Sequence, residues 1–152
     1  MPVPLEIKIL PMTMDHLSGV MEVERQSFPY PWSQDAFMFE LLHNKVACYL
    51  VAMAEETVVG YAGMWVLVDE AHVTNIGVLP QWRRQGIARA LLSRLMEIAK
   101  ANDADKMTLE VRKSNWGARK LYENLGFKAL GCRRNYYAET HEDAVIMWKF
   151  DL

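Results

Sequence analysis

Apolar and polar positions alternate from Leu5 to Leu10, with Leu5, Ile7 and Ile9 on one side and Glu6 and Lys8 on the other. That period of two predicts a half-buried strand. The period then lengthens. Leu17, Val20, Met21 and the Val23-Glu24 pair give an imperfect apolar face at helical spacing, and Thr13 is placed to cap a helix from Met14 to Ser27. Phe28-Pro29-Tyr30-Pro31-Trp32 ends it, because each proline forces its predecessor toward extended geometry. Ser33 caps a second helix, Gln34 to Leu42, with Phe37, Met38 and Leu41 inward. These two helices and the aromatic bend form an arm that either packs the core or lines a substrate site.

Two apolar runs, Ala47 to Ala54 and Val58 to Val68, flank Glu55-Glu56-Thr57 and read as a hairpin. Glu70 to Val78 follows a tight turn at Asp69 as a third antiparallel strand, ended by Pro80. Ile87, Leu91, Leu95 and Ile98 mark a helix from Gly86 to about Asn102, which crosses over to the strand Met107 to Val111. A strand, helix and strand in series imply a parallel pair with a right-handed crossover. Asn115 caps a helix from Trp116 to Leu125 that Gly126 stops, and Lys128 to Tyr137 and Ala144 to Phe150 close the chain as a hairpin. The order is β-α-α-β-β-β-α-β-α-β-β, a mixed α/β sheet in one domain over residues 1–152. Sites in such sheets lie where the strand order opens, beside strand carboxyl ends. The Gly86 turn and the end of the Glu110 strand therefore belong to one rim.

Composition narrows the function little. The chain has 152 residues, 51% of them hydrophobic, and a formal net charge of -2, which gives no reason to expect nucleic-acid or anionic-membrane binding. Its two cysteines, Cys48 and Cys132, are expected as buried free thiols. No leader precedes Leu5 and no apolar run reaches the roughly 18 residues of a membrane span, so the expected location is the cytoplasm. No metal is expected: Asp69-Glu70-x-His72 and His141-Glu142-Asp143 match no ligand spacing and read as turn and surface polar residues.

The turn Pro80-Gln81-Trp82-Arg83-Arg84-Gln85-Gly86 carries more information. The first N–H groups of the following helix have no intrahelical partner and, with the helix dipole, attract an anion. Gly86 would let a phosphate approach, and Arg83, Arg84 and Arg89 add positive charge. A Walker loop needs a lysine and a hydroxyl here, and a dinucleotide turn needs three glycines. Neither is present.

Arg83-x-x-Gly86-x-Ala88 behind Val78-x-Pro80 instead resembles the acetyl-CoA loop of the GNAT N-acetyltransferases, with alanine at the second glycine position. Leu109-Glu110-Val111-Arg112-x-Ser114-Asn115, then Ala118-x-x-Leu121-Tyr122-x-x-Leu125-Gly126-Phe127, is similar to that superfamily's second signature. Arg133-Arg134-Asn135-Tyr136-Tyr137, with Glu142-Asp143-Ala144-x-Ile146-Met147, resembles the narrower RimI-type family, which acetylates the N-terminal alanine of a small-subunit ribosomal protein. Gly77 stands where that family usually has alanine.

The resemblance implies acetyl-CoA as co-substrate, held by Ile76, Gly77, Val78, Arg84, Gln85, Gly86, Ile87, Ala88, Arg89 and Asn115. It implies Glu110 as proton acceptor, Tyr122 as proton donor to the CoA sulfur, and the N-terminal segment of a ribosomal protein as partner. Residue type leaves simpler roles open: Glu110 as a solvent-facing strand glutamate, Tyr122 as core, Asn115 as a helix cap. Arg133, Arg134, Tyr136 and Tyr137 either line the acceptor groove or face solvent. Cys48 reads as core, which favours direct transfer in a ternary complex over an acetyl-cysteine. Acetylation of a lysine side chain or a small-molecule amine is the alternative activity, and a non-catalytic CoA-binding module a third reading.

Overall fold

The computed structural model describes residues 6–152; Leu5, expected to open the first strand, lies outside them. The strands are β1 (Ile7–Pro11), β2 (Ala47–Ala54), β3 (Thr57–Leu67), β4 (Glu70–Val78), β5 (Lys106–Arg112), β6 (Lys128–Tyr137) and β7 (Glu142–Phe150). The helices are α1 (Leu17–Ser27), α2 (Gln34–His43), α3 (Ile87–Ala101) and α4 (Trp116–Asn124). One turn of 3-10 helix, Met14–His16, precedes α1, where the Thr13 N–H donates to His16 Nδ1 at 2.9 Å.

The strands form one seven-stranded sheet in the order β1-β2-β3-β4-β5-β7-β6. Neighbouring strand positions face opposite sides, and the helices follow that rule. The backbone at Gly60 lies against Ile87 and Leu91 of α3, whereas Tyr61 stacks edge-on against Phe37 of α2 with ring centroids 5.5 Å apart. So α3 covers one face and the α1–α2 arm the other. The buried stripe of α3 is Ile87, Leu91, Leu92, Leu95 and Ala99. Ile98, expected inward, is only partly buried, because the stripe drifts around the helix toward Leu92 and Ala99.

The parallel contact between β4 and β5 is short. It runs from Glu70↔Lys106 to His72↔Thr108 and stops, while β5 stays paired with β7 along its length. The cause is visible in β4. Its register against β3 jumps from Gly63↔Asn75 to Met64↔Val73, so Thr74 is an extra residue. Such a bulge bends and twists a strand. Past His72 the sheet forks, with β4 on one prong and β5 on the other.

Candidate active site

The fork opens into a cleft of about 620 Å³ between the α1–α2 bend, β4, β5 and the start of α4. Glu110 stands on the β5 prong, two residues past the last parallel pair, with its side chain only 10% exposed. Met107, Leu109 and Val111, its odd-numbered neighbours, are buried, as the alternation of the strand requires. One Glu110 oxygen lies 2.6 Å from His72 Nε2, and the other 3.8 Å from the Arg133 guanidinium. Burial pushes this carboxyl up, but the His72 hydrogen bond and the charges of His72 and Arg133 outweigh it, so its pKa ends below the ordinary value.

Tyr122 enters the same cleft from α4. Its ring is buried, 6% exposed, against Phe127 at a centroid distance of 5.9 Å. Its hydroxyl has no partner among the described residues and is not fully enclosed, so it opens on the cleft. Burial, then the nearby Tyr137, raises its pKa, which keeps the phenol protonated.

The β4 prong presents backbone. The Leu79 N–H donates to Val59 O at 2.9 Å, which sets the phase of the β3–β4 ladder. Alternate residues then bond to β3, so Ile76 and Val78 turn their N–H groups to the side from which β5 has departed. The Val78 carbonyl is occupied, by Ser27 Oγ at 3.3 Å and Arg83 Nε at 3.1 Å. Arg83 therefore braces the turn. Beyond it, none of the backbone N–H groups from Arg84 to Arg89 has an acceptor among the described residues. Gly86 caps α3 at φ 81° with nothing within 4 Å of where a Cβ would stand, and Arg84 also has positive φ, 61°. The outcome is a row of amide donors, unpaired among the described residues, at the mouth of a 15-residue helix.

Of the residues expected at the site, Ile76, Glu110, Asn115 and Tyr122 line the cleft itself. Gly77 and Val78 continue the β4 prong above it, and Arg84, Gln85, Gly86, Ile87, Ala88 and Arg89 form the turn and helix start beyond. Asn115 Oδ1 accepts from the Ala118 N–H at 3.2 Å as the cap of α4, leaving its amide nitrogen without a partner among the described residues. Tyr137 lines the cleft under the Arg112 guanidinium, 3.9 Å from its ring centre, and burial pushes its phenol up to about 12. Arg133 leans toward Glu110, whereas Arg134 faces solvent.

The partners of His72 and Glu24 and the exposure of the two cysteines escaped sequence reasoning. His72, read as surface polar, is Glu110's partner. Glu24, read as a flaw in an apolar stripe, is 2% exposed, lines the cleft and accepts from the Trp32 N–H at 2.7 Å and from the Tyr61 hydroxyl. The flaw itself was the signal, because a buried carboxylate must be partnered. Cys132, expected buried, is exposed on β6, the edge of the sheet; Cys48 is half-buried, and burial raises its thiol. Among the described residues no group of three or more His, Cys, Asp or Glu could hold a metal ion, and no helix is long and apolar enough to cross a membrane.

Residues 17–127 match the acetyltransferase (GNAT) family. A Bacillus subtilis relative, named as a candidate ribosomal protein bS18-alanine N-acetyltransferase, is 41% identical over 137 residues, covering 90% of this chain and 91% of its own. The crystal structure of the ribosomal-protein-S18-alanine N-acetyltransferase from Escherichia coli superposes with a TM-score of 0.87 at 32% identity, covering 96% of this chain and 94% of that one. The Arabidopsis thaliana NAA60 structure in complex with acetyl-CoA shares the fold, with a TM-score of 0.86 at 17% identity over 95% of this chain and 98% of its own.

Proposed function

The chain belongs to the GNAT acetyltransferase family, and on that footing we propose that it acetylates the α-amine at a protein N-terminus from acetyl-CoA. The proposed acceptor is the N-terminal alanine of ribosomal protein bS18, in the cytoplasm. One observation carries this reading: the Glu110 carboxylate and the Tyr122 hydroxyl reach the same cleft, across from a row of unclaimed backbone donors.

The residues present fit acetyl-CoA, which supplies an activated acyl thioester. The free N–H groups from Arg84 to Arg89, opened by Gly86 and flanked by the Arg84 and Arg89 guanidinium groups, suit its diphosphate. The main chain of Ile76, Gly77 and Val78 and the amide nitrogen of Asn115 suit the acyl arm. The Val78 N–H is a fixed donor for an acyl oxygen that gains charge, a contribution of about 3 kcal/mol.

Glu110 accepts the proton of the incoming amine, directly or through one water. Its lowered pKa makes it a weak base. An α-amine, with a reference pKa of about 7.7–8, is partly neutral near neutral pH and sheds its remaining proton as it attacks the acyl carbon, when even a weak base can take it, whereas lysine at about 10.4 stays almost wholly protonated. That difference favours the α-amine over the lysine alternative. His72, 2.6 Å away and one-third exposed, offers the proton a route to solvent. Tyr122, kept protonated, donates to the departing sulfur. Cys48 is not in the cleft lining and its thiol is raised by burial, which supports direct transfer in a ternary complex.

Initial rates measured over both substrates test this. Intersecting lines and no acetylated protein after incubation with acetyl-CoA alone are expected, with turnover of a peptide bearing the bS18 N-terminus. Turnover only of a peptide whose N-terminus is blocked and whose lysine is free would overturn it.

A further inference from the structure

The bend Phe28 to Trp32 forms a wall of the cleft through Phe28, Pro29, Tyr30 and Trp32, yet it has no helix or strand to hold it. Its two prolines have no N–H, which leaves three backbone donors, on Phe28, Tyr30 and Trp32. Two of these go to one residue. The Phe28 N–H donates to the backbone oxygen of Glu24 at 3.0 Å, and the Trp32 N–H to its side-chain Oε2 at 2.7 Å. The other carboxylate oxygen accepts from the hydroxyl of Tyr61, which is fully buried in β3. The Phe28 end is thus held by the last backbone bond of α1, and the Glu24 carboxylate ties the Trp32 end to the sheet through Tyr61. The rings complete the seat. Trp32 packs on Phe37 at 5.3 Å, and Phe28 lies against β4 at Gly77, where a Cβ would come within 3.4 Å of its ring and 3.1 Å of Tyr61.

Both Glu24 oxygens are thus spoken for by neutral donors of the protein itself. We propose that Glu24 is a positioning residue: it holds the Phe28–Trp32 bend in place as the wall against which the acceptor peptide lies, and takes no part in proton transfer. The inference rests on the peptide-acceptor reading above.

Glutamine at this position can keep the arrangement, since its carbonyl accepts from the Trp32 N–H while its amide donates to the Tyr61 oxygen. Leucine cannot, and leaves both donors unpaired. Steady-state kinetics on the full chain with an N-terminal alanine peptide separate the roles. For Glu24→Gln, kcat and the peptide KM are expected within about threefold of the parent. For Glu24→Leu, the peptide KM is expected to rise at least tenfold, with kcat and the acetyl-CoA KM within about threefold. Tyr61→Phe, which retains the ring and removes one tether, is expected to raise the peptide KM by about threefold, and decides the matter if Glu24→Leu fails to fold. A Glu24→Gln enzyme whose kcat collapses would make Glu24 a proton carrier and overturn the proposal. An unchanged peptide KM in both Glu24→Leu and Tyr61→Phe would overturn it too, while leaving the acetyltransfer reading intact. Failure of the parent protein to acetylate any N-terminal peptide would instead remove that reading itself.

Discussion

Glu24 and Glu110 line the same cleft from opposite sides, and the protein drives their ionisation in opposite directions. Glu24 meets only neutral donors, so burial dominates and its pKa rises; its bonds to Tyr61 and the Trp32 N–H offset burial only in part. Glu110 is also mostly enclosed, but His72 and Arg133 bring positive charge, and its pKa falls. Depth alone therefore does not decide which carboxylate is held ionised. The charge of the partners does. On the proposed reading, one carboxylate serves structure and the other chemistry.

The widest separation between them is expected in turnover. Glu110→Gln should lower kcat by about 10²–10⁴, the usual contribution of a positioned acid or base, while Glu24→Gln stays near the parent value. Equal losses in the two variants would erase the contrast. Tyr122→Phe should fall at the lower end of that range, about 10², with the peptide KM little changed, because its ring remains packed on Phe127. On the backbone side, Gly86→Ala should raise the acetyl-CoA KM by about tenfold and spare kcat. An alanine at φ 81° is strained by about 1–2 kcal/mol, and its Cβ would enter the open space before the free amides. Titration calorimetry with CoA reads the same loss.

The smallest effect is the most specific to the comparison. Because the folded pKa of Glu110 is lowered, its contribution to stability is present above the ordinary 4.5 and is lost as pH falls through the folded value. Glu24 is raised, so its contribution is present below 4.5 and is lost as pH rises through its folded value. Denaturant unfolding from about pH 2 to about pH 8 should therefore show Glu110→Gln losing stability relative to the parent as pH rises through the range below 4.5, and Glu24→Gln gaining it as pH rises above 4.5. Parallel curves would show that the two environments do not differ.

The parts read correctly from sequence were those encoded locally. The element order follows from periodicity and caps. The donor turn follows from Pro80, the arginines and Gly86, all within seven residues. Glu110 and Tyr122 carry no such local mark, and only the GNAT resemblance singled them out. What stayed hidden depends on distant strands. His72 meets Glu110 across 38 positions of sequence, and Tyr61 meets Glu24 across 37, so neither pair leaves a spacing to find. The fork itself hangs on one extra residue, Thr74, in a strand whose apolar pattern is otherwise unremarkable. Cys132 was misread for a related reason. Burial of a strand residue depends on whether its strand ends up central or at the edge, and β6 is the edge.

The most direct test uses one peptide that begins with a free alanine and carries an internal lysine, incubated with acetyl-CoA and the purified protein at neutral pH. Fragmentation mass spectrometry then locates the acetyl group. It is expected on the N-terminal nitrogen, at a rate that Glu110→Gln lowers at least a hundredfold. An acetyl group found on the lysine alone, or N-terminal acetylation that proceeds equally well without the Glu110 carboxylate, would contradict the assignment.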